Sequence, residues 1–422
     1  MLKLAHLNLA SRALTILALI VSLSACSSSE KPAPTEHEAQ NDTPSSQVDA
    51  EKREEPLAEV VAEPEVVVDP PAPWISPDAK DLSAELAALV ESNKIPALAC
   101  CLLKDGEIIA QGAAGTQRID NDLAVSTESR WHLGSCTKAI TATLAARLIE
   151  QGVLSWETTI AEVFPDLGEN LREAYREKTL VELCSHHAQL PANGFYMGYK
   201  RMRTPEQSMA DRARLVPTIL AMEPAVEEGE FLYSNAGFIV AGSMLEKLTG
   251  KPWETLLREE VFAPLGMTSA GFGAPQGEQP WGHSGSPEDG LKPRDPAKGA
   301  DNVSALGPAG TVHASLADWA RFINLHLLGA RGEEQDYLSA ESFAKLHQVV
   351  GEGDYALGWA RASRGWAGDT PVLMHNGSNT MWFAVVWAAP DKNMALIAAC
   401  NAAGKAGSSA TDQACGVMLR TQ

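Results

Sequence analysis

The order of apolar patterns along residues 74–422 predicts a mixed α/β (α+β) fold, with an antiparallel sheet flanked by N- and C-terminal helices and a mainly helical lobe inserted between its halves. Three observations predict it. Strand-like apolar runs occur near both ends of the segment, helical spacing brackets them, and the stretch between, residues 155–270, carries short apolar runs among many charges. At 349 residues the segment is long enough for one large domain or two sharing a core.

Taken in order, Leu82, Leu86, Leu89 and Val90 recur at helical spacing, with Asp81 or Ser83 available as caps. Ile95 to Leu103 and Glu107 to Gln111 read as two strands around a turn at Lys104-Asp105-Gly106. A long helix then opens near Ser135, with Ile140, Leu144 and Leu148 on one face and Gly152 placed to end it. Towards the C-terminus Val372–Met374, Met381–Ala388 and Met394–Cys400 read as consecutive strands, and a closing helix is expected over about 411–419. There is no internal repeat and no phosphate-loop or dinucleotide fingerprint.

The first 25 residues read as a signal peptide. Lys3 and Arg12 form a basic leader, and Ala13 to Ala25 is apolar but too short to span a bilayer, which takes about 20 residues. Leu23-Ser24-Ala25-Cys26 resembles a bacterial lipoprotein signal, which implies that Cys26 becomes the lipidated first residue. Ser27 after it, rather than Asp, implies the periplasmic face of the outer membrane. Residues 26–73 read as a disordered tether. After Cys26 they hold eight prolines, twelve Asp or Glu, three Lys or Arg and no aromatic residue, too little apolar surface to offset chain entropy. The chain carries a formal net charge of −20, which argues against partners of nucleic acid or anionic lipid. Beyond Cys26 the cysteines follow neither a disulfide framework nor a zinc spacing, although a bridge between Cys400 and Cys100 or Cys101 is conceivable.

Three short motifs carry chemistry in combination. Ser-x-x-Lys occurs three times, and only Ser135-Cys136-Thr137-Lys138 follows a glycine and opens an apolar-faced helix. Spacing i, i+3 stacks Ser135 and Lys138 on one face. The helix dipole and burial both disfavour the ammonium, which suits Lys138 to act as a base. The same residues alone would equally serve as an N-cap and a solvated lysine. Tyr233-Ser234-Asn235 is the sole Tyr-x-Asn. Tyr233, eased towards ionisation by a neighbouring ammonium, is placed to relay the Ser135 proton, and Asn235 to orient substrate or Lys138. His375-Asn376-Gly377-Ser378 lies between two strand-like runs. There Gly377 allows close approach, and the Ser378 and Ser135 N–H groups would form an oxyanion hole. Cys136 is rotated about 100° from Ser135 on the helix and reads as a packed thiol. Lys200, Arg201, Arg203, Arg212 and Arg214 form a basic cluster, read as a solvated helix face or a binder of acidic substrate.

In this order and spacing the trio resembles the class C β-lactamase-like serine hydrolases, a family that includes penicillin-binding proteins, D-aminopeptidases and esterases. Trp131-His132-Leu133-Gly134-Ser135, Gly152-Val153-Leu154 and Pro308-Ala309-Gly310-Thr311 extend the likeness from about residue 80 to 420. The resemblance implies hydrolysis or transfer of an ester or amide acyl group through a Ser135 acyl-enzyme, without cofactor or metal. The substrate would be a small ester, amide or peptide. It also implies that the residues 155–270 overhang the site. Where many members hold a substrate carboxylate with lysine, this chain has His375, as in several esterases and aminopeptidases. His186-His187-Ala188-Gln189-Leu190 replaces the family's His-Thr-Ser-Gly-Leu. A peptidoglycan D,D-peptidase or β-lactamase, and a non-catalytic binding protein on the same scaffold, are the alternatives.

Overall fold

A computed structural model describes residues 74–422 except 195. The signal peptide, Cys26 and the tether lie outside the described residues. The main sheet has seven strands: β1 (Ile75–Asp81), β2 (Ala97–Lys104), β3 (Glu107–Gly115), β7 (Ala360–Ala362), β8 (Val372–Ser378), β9 (Phe383–Ala389) and β10 (Met394–Cys400). The intervening numbers belong to a smaller sheet of β4 (Arg130–His132), β5 (Gly271–Phe272) and β6 (Val312–Ser315), in the order β4-β6-β5. The main sheet runs β1-β3-β2-β10-β9-β8-β7, antiparallel throughout except for the parallel β1–β3 pair.

Central strands β9 and β10 are buried at every residue, because helices cover both faces. β3 alternates buried and more exposed positions, the pattern of a strand covered on one face. The β2–β3 hairpin turns through Asp105 and Gly106, both at positive φ, which matches the twist of the flanking strands. One face carries the terminal helices α1 (Ser83–Asn93) and α6 (Gly404–Leu419), whose Leu86, Ala414 and Met418 pack with the β2 and β10 side chains Leu98, Leu102 and Leu396. The other face holds α2 (Thr137–Glu150), the helix that follows Ser135 and is buried on nearly all sides, and α5 (Leu316–Ala330).

The inserted lobe is helical as expected, its main elements being α3 (Pro205–Leu220) and α4 (Asn235–Thr249). Its basic cluster divides. Arg212 is fully buried on α3, bonded through Nη2 to Glu246 of α4 at 2.5 Å and to Glu254 at 2.6 Å. Taking one member from such a network strands a buried charge, so Arg212 is a cross-link of the lobe. Arg203 and Arg214 both pair with Asp211. Neither a solvated face nor an acid-binding patch describes the cluster as a whole. All six cysteines of the described residues are buried and free, and Cys400 on β10 faces Leu98 of β2.

Candidate active site

The small sheet fixes the approach to Ser135. Trp131 and His132 pair with Ala314 and His313 on β6, after which the chain turns through Gly134 at φ +51° into a 3₁₀ turn, Gly134–Cys136, that leads into α2. Ser135 makes no capping bond. Its Oγ lies 3.2 Å from Lys138 Nζ, so the geometry separates the two readings open at the sequence level in favour of a serine–lysine pair.

Lys138 is fully buried, and burial holds it well below the usual ammonium range. A neutral amine has two N–H donors and one lone pair. Acceptors for both N–H groups are present, Asn235 Oδ1 at 2.7 Å and the Ala309 carbonyl at 2.8 Å. The lone pair is left to face the Ser135 hydroxyl.

Asn235 begins α4, capped by Ser234, whose Oγ accepts the Gly237 N–H at 2.9 Å. The Asn235 amide is held at its other end by Nδ2 donating to Asn193 Oδ1 at 2.9 Å, and its backbone N–H donates to the Ala192 carbonyl. Tyr233 lies against Lys138, with Nζ 4.8 Å from the ring centroid. The expected ease of ionisation is reversed. Burial pushes the phenol above its ordinary range, and the Ser135 hydroxyl offsets this only in part. Lys138 makes no contribution that offsets this. Tyr233 Oη has no completed hydrogen bond among the described residues, so the site holds an amine whose pKa is lowered and an unspent phenolic donor. Environments that drive an amine down and a phenol up assign base and acid.

The end of β8 closes against the serine turn. A Cβ on Gly377 would lie 2.0 Å from the Leu133 carbonyl oxygen and 2.6 Å from Ser135 N, and one on Gly134 would lie 2.3 Å from Ser378 N. Only two glycines permit that backbone contact, which sets the Ser135 and Ser378 amides side by side. The Ser378 side chain is engaged in its own turn, bonding the Trp382 carbonyl and the Thr380 N–H.

His375 departs from its expected place in contact with substrate. It is 1 % exposed and is not among the residues lining the cavity. Both ring nitrogens are occupied, Nε2 by the Tyr355 hydroxyl at 2.9 Å and Nδ1 by the Asn376 carbonyl at 2.6 Å. Burial, followed by the neighbouring Lys138, pulls its pKa down to about 3, so the ring is neutral. It backs Tyr233, with ring centroids 6.4 Å apart. Cys136 is a packed thiol as expected, raised by burial. The third Ser-x-x-Lys is structural, since Ser342 bonds Glu150.

Ser135, Asn235, Ser378 and Ala309 line one cavity of about 650 Å³, together with Asn193, Tyr196, Tyr199, Arg201, Arg294 and Asp301. Sequence reasoning missed Asn193, Arg294, Asp301 and the supporting His186, whose Nδ1 accepts the Ser234 N–H at 3.0 Å. The likeness of Pro308-Ala309-Gly310-Thr311 to a family stretch was the one signal pointing to the Ala309 carbonyl.

This fold and this cavity define a hydrolase of the β-lactamase and penicillin-binding-protein type. The beta-lactamase family profile matches residues 82–414, and the chain belongs to that family. Penicillin-binding protein 4 of Amycolatopsis lactamdurans is 29% identical over 318 residues, covering 72% of this chain and 80% of the relative. Among solved structures, a beta-lactamase from Sulfitobacter sp. EE-36 superposes with a TM-score of 0.63 at 20% identity, over 80% of this chain and 97% of that one. EstCE1, described as a hydrolase with promiscuous acyltransferase activity, superposes with a TM-score of 0.65 at 18% identity and the same coverage.

Proposed function

We propose that the protein is a serine hydrolase that cleaves or transfers ester or amide acyl groups through a Ser135 acyl-enzyme. The observation that carries this reading is the buried Lys138 amine, its two N–H groups accepted by Asn235 and Ala309 and its lone pair facing Ser135 Oγ. In the first half-reaction Lys138 takes the Ser135 proton as Oγ attacks the acyl carbon. The oxyanion forms between the Ser135 and Ser378 N–H groups. Tyr233 then gives its phenolic proton to the leaving group and recovers one from Lys138. Water, or another hydroxyl, repeats the sequence in reverse to release the acyl group. The acyltransferase activity named for EstCE1 is consistent with a non-water acceptor in this second half.

The substrate class follows from what faces the cavity. No lysine stands at the position of His375, and the histidine there is neutral and buried, so it supplies no charge to a substrate carboxylate. Loss of a charge-assisted hydrogen bond is worth about 1.5–3 kcal/mol, or about one to two orders of magnitude in affinity. Purified protein is expected to hydrolyse p-nitrophenyl butyrate measurably and nitrocefin weakly or not at all. The second reading, a β-lactamase or D,D-peptidase, is favoured by Arg201 and Arg294, two exposed guanidinium groups on the cavity wall. A kcat/KM for nitrocefin well above that for the ester would establish it in place of the first.

On this reading the lipoprotein-like Cys26 would anchor the activity in the bacterial envelope, at the periplasmic face of the outer membrane. The tether from Ser27 to Pro73 has a root-mean-square reach of about 35–40 Å if flexible, lengthened by its prolines and like charges. Cys26→Ser is expected to release the protein or block its maturation while the activity of the purified domain stays unchanged. Wild-type protein found wholly in the soluble fraction, with no lipid mass on its N-terminus, would exclude the anchor.

A further inference from the structure

Outside the three motifs, one buried carboxylate reaches three of the segments that surround Ser135. Asp301 is 5 % exposed, on an irregular stretch before β6. Its Oδ1 accepts two hydrogen bonds, from Asn379 Nδ2 at 2.9 Å and the Asn302 N–H at 2.6 Å, and a third donor group, His132 Nε2, lies 2.8 Å from the same oxygen without completing a hydrogen bond. Each donor belongs to a different wall of the site.

The His132 arm leads to the nucleophile. His132 Nδ1 accepts the N–H of Gly134 at 3.1 Å, the residue before Ser135. The ring accepts at Nδ1 and sets Nε2 2.8 Å from Asp301, so it spans Asp301 and the serine turn. Trp382 stacks on it at 5.6 Å between centroids. The Asn379 arm leads to the oxyanion side. Asn379 follows Ser378, and its Oδ1 accepts the Met381 and Trp382 N–H groups at 3.2 Å each, holding the turn that ends β8. The Asn302 arm leads to the base, since Asn302 Nδ2 donates to the Gly310 carbonyl at 2.9 Å, one residue from the Ala309 carbonyl that holds Lys138.

We propose that Asp301 is a positioning residue which, through His132 and Asn379, sets the separation of the Ser135 and Ser378 N–H groups. This rests on the serine hydrolase reading above. The turn carrying Ser135 and the end of β8 meet through backbone at the two glycines. Asp301 holds the far side of each turn against one oxygen atom, by a buried hydrogen bond from Asn379 and by a close polar contact with His132. Hydrogen bonds to charged groups are the stronger kind, the more so in low-dielectric surroundings. Oxyanion donors act only when fixed close to their working geometry, and a supporting carboxylate of this kind is what fixes them.

The test uses the full-length protein. Labelling of Ser135 by a fluorophosphonate and turnover of p-nitrophenyl butyrate by the wild type check the serine hydrolase reading independently of Asp301. Given both, Asp301→Ala is expected to lower kcat about 10²-fold, the scale of a lost oxyanion donor, with KM close to wild type. Phenylboronic acid, which forms a tetrahedral adduct on Ser135 with an oxygen between the two N–H groups, should weaken in proportion. Asp301→Asn keeps an acceptor oxygen for His132 and should recover most of both losses. If Asp301→Ala does not fold, Asn379→Ala, which removes one arm, should show the same joint fall in kcat and boronate affinity. The proposal is overturned if kcat and boronate affinity hold at wild-type values while only the thermal midpoint falls. It is equally overturned if Asp301→Asn is as impaired as Asp301→Ala, because the charge rather than the geometry would then be in use.

Discussion

Ser135→Ala is expected to abolish turnover of any substrate the wild type hydrolyses, with little change in thermal midpoint. The lost hydroxyl is half-buried and makes one bond, to Lys138, so the fold does not depend on it. Lys138→Ala should reduce kcat/KM by a comparable factor, about 10⁶ by analogy with single removals of nucleophile or base in a serine protease. The double variant should be no worse than either single, because the two side chains perform one step. They differ in stability. Removing Lys138 strands the Asn235 Oδ1 and Ala309 carbonyl acceptors in the interior, at about 1–3 kcal/mol for each buried group left unsatisfied. Melting curves and p-nitrophenyl butyrate kinetics on the three variants separate these effects. Wild-type activity in Ser135→Ala would remove Ser135 from the mechanism.

The second large effect comes from a methyl group. Gly377→Ala is expected to lower kcat about 10²–10³-fold, the range for loss of one oxyanion donor. Gly377 is not at positive φ, so its backbone is open to alanine. The damage arises from the Leu133 oxygen and Ser135 nitrogen that the new Cβ would meet at 2.0 and 2.6 Å. Relief requires the end of β8 to move away from the serine turn, which separates the two amides. Gly365→Ala is the matched control, since it meets nothing within 4 Å and has no positive φ. Kinetics of Gly377→Ala within a few-fold of wild type would show that the Ser135 and Ser378 amides do not act together.

The legible parts of the molecule are those where burial imposes a period. β9 and β10 were readable as apolar runs because both faces are covered, and α2 because its apolar face repeats at helical spacing. β1 was not, because Ile-Ser-Pro-Asp-Ala-Lys-Asp at the sheet edge buries no residue fully. The closing helix begins at Gly404 rather than near 411, because its first turns are rich in Gly, Ala and Ser and carry little pattern. In the site, Ser135, Lys138, Tyr233 and Asn235 were readable from order and spacing. Asn193, Asp301 and Arg294 lie in irregular segments where no period marks which side chain turns inward. The misplacement of His375 has the same origin, since its ring is occupied by Tyr355, from another irregular segment. The direction of the Tyr233 shift is set by burial of the phenol itself, which spacing along the chain does not show.

The contact between Lys138 and Asn235 spans 97 residues of chain, and that between Cys136 and the His375 carbonyl spans 239. One comes from the inserted helical lobe and the other from the third-last strand of the sheet. A piece ending before the inserted lobe lacks the Asn235 contact and one ending before β8 lacks the Ser378 amide, so a half-folded molecule has a serine without the whole arrangement. Contacts of such sequence separation form late, after loop-closure entropy has been met. Reactivity at Ser135 is therefore a report on the completed molecule, silent along the folding route and extinguished by any local opening that parts the helical lobe from the sheet.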